Sequence, residues 1–108
     1  MEVMTREELG ERLRTLRKRR GLTQEALAEA AEVSVDSVRR LENAAFSPSF
    51  DTLTKLAKGL NVPKVALITD HYDEEDDLAV MLRALPSPHK EVAVAMLGTL
   101  YVQASMTS

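Results

Sequence analysis

The stretch Thr23–Asn43, TQEALAEAAEVSVDSVRRLEN, leaves the chain the least freedom in how it folds. Thr23 and Ser34 each stand where a side-chain oxygen can cap a helix start. Leu27, Ala28 and Ala31 line the inward face of the first helix, and small residues there let a neighbouring helix approach closely. Glu32-Val33 interrupts the pattern, and the helix after Ser34 turns Val38 and Leu41 inward. Val35, Asp36, Ser37, Arg39 and Arg40 are left facing outward or flanking that seam. The unit is two short helices, a tight turn between them and a pair of outward arginines.

The flanks supply what such a unit needs to be buried. Thr5-Arg6-Glu7-Glu8 reads as a capping box. The helix it opens carries Leu9, Leu13 and Leu16 on one face and ends in Lys18-Arg19-Arg20-Gly21. Cations suit the negative end of a helix dipole and Gly suits a left-handed terminator. After a loop at Ala44–Pro48, Ser49 caps a fourth helix with Leu53, Leu56, Ala57 and Leu60 inward, closed by Asn61. Pro63 starts a short fifth helix expected to contribute Val65, Leu67 and Ile68. Five short helices with short connections predict one all-α domain over residues 1–69.

The run Asp70–Asp77, DHYDEEDD, marks a boundary, and acidic residues of this kind favour the first turn of a helix. Leu78, Met81, Leu82 and Leu85 then follow helical spacing until Pro86. Ser87-Pro88 is read as a cap and a first-position proline for a last helix through Val92, Val94, Met96, Leu97, Leu100, Tyr101 and Val102. Its apolar stripe covers more than one face. Residues 70–108 are therefore expected to form a helical pair that covers the first domain or pairs with another copy.

Charge follows the same division. The net −3 resolves into 12 Lys/Arg against 11 Asp/Glu in residues 1–70 and 2 against 6 in residues 71–108. Arg12, Arg14, Arg17, Lys18, Arg19 and Arg20 crowd together in the first helix. The local field, not the total, governs what such a surface attracts. No cysteine is present, so disulfides and thiolate metal sites are excluded, as fits a reducing, cytoplasmic setting. The N-terminal MEVMTREELGER has acidic residues where a leader needs an apolar run, and Val92–Val102 is far shorter than the roughly 20 residues that span a bilayer.

Taken together in order, these residues resemble the Xre family of helix-turn-helix regulators, which includes the lambdoid phage repressors. The resemblance covers about Leu9 to Val62. It rests on Leu13-Arg14-x-Leu16-Arg17, Gly21-Leu22-Thr23-Gln24, Leu27-Ala28, Val33-Ser34, Leu41-Glu42-Asn43, Pro48 and Leu53-x-x-Leu56-Ala57-x-x-Leu60-x-Val62. It implies a five-helix lambda-repressor-like DNA-binding domain followed by two C-terminal helices. It further implies that helix 35–43 lies in the major groove, with Val35, Asp36, Ser37 and Arg40 toward the bases. Arg40 is the residue expected to contact a guanine in bidentate fashion. Gln24, Arg39 and Asn43 are implied phosphate contacts, with Arg19 and Arg20 as further candidates. Arg17 and Glu42 match a family ion pair that ties the first helix to the recognition helix.

The sequence departs from the family pattern at two places. Glu32 stands where the turn commonly has glycine, and Ala44-Ala45-Phe46 replaces a glycine followed by basic residues. The second change leaves either a modest affinity or reliance on Arg12, Arg19, Arg20, Lys55 or Lys58. Phe46 is expected to cover core in preference to meeting a partner.

The resulting expectation is a sequence-specific DNA-binding transcriptional regulator that acts as a homodimer on double-stranded DNA. Leu78, Leu82, Val92, Met96, Leu97, Leu100 and Tyr101 are the expected dimer or partner interface. The alternative is an antitoxin or other protein-binding regulator acting through its C-terminal helices. An enzyme is not expected: there is no phosphate-binding glycine loop and no Ser/His/Asp set. His71 and His89, the only histidines, lack the companions of a metal site, so neither metal nor cofactor is assigned.

Overall fold

The computed structural model describes residues 4–107. Met1–Val3, which begin the acidic N-terminal stretch read above for a leader, and Ser108 lie outside the described residues. The elements are α1 (Arg6–Arg19), α2 (Gln24–Ala31), α3 (Val35–Glu42), α4 (Phe50–Leu60), α5 (Val65–Ile68), α6 (Glu74–Ala84) and α7 (Ser87–Thr107). The described residues contain no strand. The chain divides into two compact units between Tyr72 and Asp73.

In the first unit α2 packs on α4, while α3 packs on both α1 and α2. Leu13, Leu16, Leu27, Val38, Leu41, Leu56, Leu60 and Leu67 fill the core, none more than 2% exposed. Leu9 and Leu53 only lean against it. The fifth helix corrects the sequence reading: Val65 and Ile68 are exposed, and Ala66 with Leu67 makes its buried face. A helix of four residues has little more than one turn, so spacing alone does not fix which side faces inward.

Each of α1–α4 starts on a hydroxyl cap, at Thr5, Thr23, Ser34 and Ser49, as the sequence predicts. Each also ends in one hydrogen-bond pattern, two N–H groups folding back on the last turn around a left-handed residue. Those residues are Gly21, Glu32, Ala44 and Asn61. At the end of α3, for example, the Ala44 N–H donates to the Leu41 carbonyl and the Ala45 N–H to the Arg40 carbonyl. Only one of the four is glycine, and Ala44 has no side-chain polar group to ease a φ of 60°.

Two close approaches hold the helices in register. A Cβ on Gly59 would lie 2.9 Å from Ala31 Cβ and from the Ala31 nitrogen, and one on Gly10 would lie 2.6 Å from the Leu41 carbonyl oxygen. Long arginines close the remaining gaps. Arg12 Nη1 donates to the Ala66 and Thr69 carbonyls, at 2.6 and 3.1 Å, and Arg20 Nε donates to the Leu60 carbonyl at 2.8 Å. Burial pulls the Arg12 pKa below its usual value, opposed by the nearby Glu8 carboxylate.

In the second unit Asp73 and Asp76 form a capping box for α6, and Glu74–Asp77 fill its first turn. Ser87 is the first residue of α7, so Pro88 stands one position later than the sequence reading placed it. The Lys90 N–H reaches the Pro86 carbonyl, and the proline's missing donor falls among those that no helix start satisfies. No residue of α7 is buried: Val92, Met96, Leu97, Leu100 and Tyr101 are between 52% and 73% exposed. No described helix is long and apolar enough to cross a membrane.

Backbone strain and helix contact give opposite expectations for two small substitutions. Ala44→Gly should stabilise the protein by about 0.5–1 kcal/mol by relieving the left-handed alanine. Gly59→Ala should destabilise it by about 1–3 kcal/mol by forcing α2 and α4 apart. Urea unfolding of the two variants beside the parent measures both.

Candidate nucleic-acid interface

The turn between α2 and α3 is short because Glu32 takes φ 58° and ψ 44°, which reverses the chain before Ser34 starts the next helix. Ser34 Oγ accepts the Ser37 N–H at 3.1 Å and lies 2.8 Å from Ser37 Oγ. Val38 and Leu41 drop into the core. The turn therefore accepts a side chain where glycine was the expectation, and α3 is held by its inner face with its outer face open.

What fixes its pitch is Glu42, at the last turn of α3, whose side chain is fully buried. Arg17 on α1 grips it with two donors, Nε to Oε2 at 2.7 Å and Nη2 to Oε1 at 3.0 Å. Gln24 Nε2, from the first residue of α2, donates to Oε1 at 3.1 Å. Arg14 lies 3.6 Å from the same carboxylate and donates Nη2 to the Glu42 carbonyl at 3.1 Å. Burial alone would push the Glu42 pKa up; the hydrogen bonds from Arg17 and Gln24 and the charges of Arg17 and Arg14 outweigh it, so the pKa is lowered. The Arg17 pKa is raised, chiefly by its hydrogen bond to Glu42.

The outer face of α3 carries the other residues singled out in the sequence. Asp36, Arg39, Arg40 and Asn43 are exposed, whereas Val35 and Ser37 are half-buried, Val35 resting against the core. Arg39 Nη2 reaches Glu25 Oε1 at 3.3 Å, an exposed link between α3 and α2. Arg40 lies with its guanidinium carbon 4.8 Å from the centre of the Phe46 ring, and its Nη1 is 4.0 Å from Asp36 Oδ2. The face thus presents donors at Arg39, Arg40 and Asn43 around one carboxylate, Asp36. Arg19 and Arg20 lie half-buried at the far end of α1, Arg20 bonded to Leu60.

A family model described as a helix-turn-helix domain matches residues 8–68. The chain belongs to the helix-turn-helix family of transcriptional regulators. It is 36% identical over 75 residues to the competence pilus inhibition repressor of Acinetobacter baylyi, covering 66% of either chain. To the cryptic phage CTXphi transcriptional repressor RstR of Vibrio cholerae it is 30% identical over 96 residues, 85% of this chain and 86% of that one. Among solved structures, the restriction-modification controller protein C.AhdI of Aeromonas hydrophila superposes with a TM-score of 0.56 at 32% identity, over 57% of this chain and 94% of that chain. The all-α, lambda-repressor-like fold expected from the sequence is the fold observed.

Within this helix-turn-helix unit, the Arg17–Glu42 pair predicted from the family stands as a double hydrogen bond. Sequence reasoning missed that Arg14 and Gln24 converge on the same carboxylate, and that Phe46 lies over Arg40. The order of residues carries no signal for the first two, because each bridges two helices. His71, read as solvated, is exposed, and the neighbouring Asp73 and Asp76 carboxylates accept each other's backbone N–H groups.

Because the Glu42 pKa is lower in the folded chain than in the unfolded one, its stabilisation is complete above the unfolded carboxylate value, about 4.3. It is lost as pH falls through the folded value. Glu42→Gln leaves Arg17 buried without its counter-charge and should cost about 3–5 kcal/mol at pH 7. Urea titrations at several pH values should show the gap between parent and variant closing as pH drops below about 4.

Proposed function

We propose that the chain is a sequence-specific regulator that binds a two-fold related operator as a homodimer, with α3 of each copy in the major groove. The observation that carries this is the outer face of α3. Glu42 locks the helix on its inner side, while Asp36, Arg39, Arg40 and Asn43 stay open. On this reading Arg40 contacts a guanine, and Val35, Asp36 and Ser37 meet neighbouring bases from the start of the helix. Arg39 and Asn43 approach phosphates, joined by the second N–H of Gln24, and by Arg19 and Arg20 where their existing partners allow. Residues 1–69 bind DNA, and residues 70–108 join the copies.

The case for a second copy rests on α7. From Val92 to Thr107 it has no charged residue, and it is apolar on every side, a pattern that belongs to a buried helix. Val92, Val94, Met96, Leu97, Leu100, Tyr101, Val102 and Met106 are each more than half exposed. Such side chains, at on the order of 100 Å² of open surface apiece, together match the about 800 Å² that each partner contributes to a standard interface. A helix of identical composition is a partner that meets it without burying a charge. On this reading Leu78, exposed, and Leu82, half-buried, on α6 take part in the same interface. Half-sites one turn of DNA apart would take the two α3 helices about 34 Å from each other.

Selection from random duplexes should return one enriched two-fold motif, bound with an affinity that falls steeply as salt rises. Absence of any motif, or indifference to salt, overturns the proposal. Arg40→Ala should weaken binding to the selected site by about 1–3 kcal/mol. Leu97→Lys should convert a dimer to a monomer in light scattering and remove binding to the two-fold site.

A second reading has its own support in the same exposed α7 and in the exposed acidic residues at the start of α6, Glu74, Glu75 and Asp76: the C-terminal helices hold a different protein, as an antitoxin would. A purified monomer that associates stoichiometrically with a basic partner would favour this reading over the dimer.

A further inference from the structure

We infer that Phe46 is a positioning residue for base recognition, holding the Arg40 guanidinium in its reading orientation before DNA arrives. The inference rests on the DNA-binding role proposed for α3. It begins with the backbone after that helix. The Ala45 N–H donates to the carbonyl of Arg40 itself at 2.8 Å, and left-handed Ala44 turns the chain back over the last turn. Phe46 follows immediately. Its half-buried side chain packs against the hydrophobic core, which holds the ring in place. The Arg40 guanidinium carbon lies over the same ring, 4.8 Å from its centre.

An arginine is otherwise a poor candidate for rigid recognition, because its long side chain has many rotamers to lose. A ring beneath the cation removes much of that freedom and leaves the in-plane N–H groups available. Those donors are the ones that bidentate contact with a guanine uses. Asp36, one turn earlier with Oδ2 4.0 Å from Nη1, restrains the same group from its edge. Phe46 and Asp36 thus define one orientation between them, Phe46 through a face and Asp36 through a charge. The aromatic group acts through Arg40 and need not touch a base.

Phe46→Leu tests this while keeping an apolar side chain against the core. In the free protein, ¹⁵N relaxation at Arg40 Nε should report a restrained group in the parent and a mobile one in the variant, with the unfolding midpoint little changed. On the selected duplex the variant should bind roughly twofold to fivefold more weakly. The loss should disappear on a duplex lacking the Arg40-dependent base pair, and in the Arg40→Ala background. Equal mobility of Arg40 in parent and variant overturns the inference, as does a loss that persists without Arg40. If the parent selects no duplex, the DNA-binding proposal fails, whereas the relaxation result still decides whether Phe46 orders Arg40.

Discussion

A carboxylate taken out of water is tolerable only if donors surround it, and the first unit is arranged around such a carboxylate. Glu42 draws Arg14 and Arg17 from α1 and Gln24 from α2 to the end of α3. Apolar packing brings these helices together without choosing their rotation, because leucines accept many small displacements. Directional bonds to two carboxylate oxygens accept few. The hydrophobic core therefore supplies most of the burial, and the ion pair supplies the angle at which α3 stands out from it. The Arg14 contact to the Glu42 backbone carbonyl adds a third constraint at the same helix end.

The same requirement explains why glycine appears where it does. With Arg17 and Arg14 reaching across to α3, α1 must lie close to it, and Gly10 lets the Leu41 and Glu42 carbonyls pass its backbone. Gly59 in turn sits against Ala31, so α4 approaches α2 as closely as α1 approaches α3. Two left-handed residues that are not glycine bracket α3: Glu32 in the turn before it, and Ala44 just after it, where the chain turns back toward Arg40 and Phe46.

Much of this was legible from the order of residues, and the parts that were not share a cause. The four hydroxyl caps, the turns at Gly21, Glu32 and Asn61, and the Arg17–Glu42 pair all follow from local spacing or from the family resemblance. Left-handed Ala44 was not foreseen, because alanine carries no signal for that conformation; the hydrogen bonds to Leu41 and Arg40 impose it. The sequence could not distinguish Arg20 as a phosphate contact from Arg20 as a cap on α4, since that depends on where the Leu60 carbonyl ends up. Val65 and Ile68 were misplaced because a four-residue helix has too little period to read. Phe46 packs on the core as expected; that its ring also carries Arg40 depends on a loop geometry no spacing rule describes.

The size of α3 argues for the role proposed for α7. Eight residues rise about 12 Å, enough to meet only a few base pairs. Within them the proposed reading gives one arginine, Arg40, a strong base contact, and a good bidentate contact discriminates by about 1–3 kcal/mol. Specific sites are typically preferred over random DNA by about 4–10 kcal/mol. A single copy with one such residue, and no basic loop after Asn43 to add phosphate contacts, falls short of that range. Doubling the reading helix is the direct remedy, and it requires a joint that does not compete with DNA for charge. A helix without a charged residue from Val92 onward, carried on the acidic C-terminal part of the chain, meets that requirement: it offers phosphate no cation, and the proposed pairing with its own kind buries no charge.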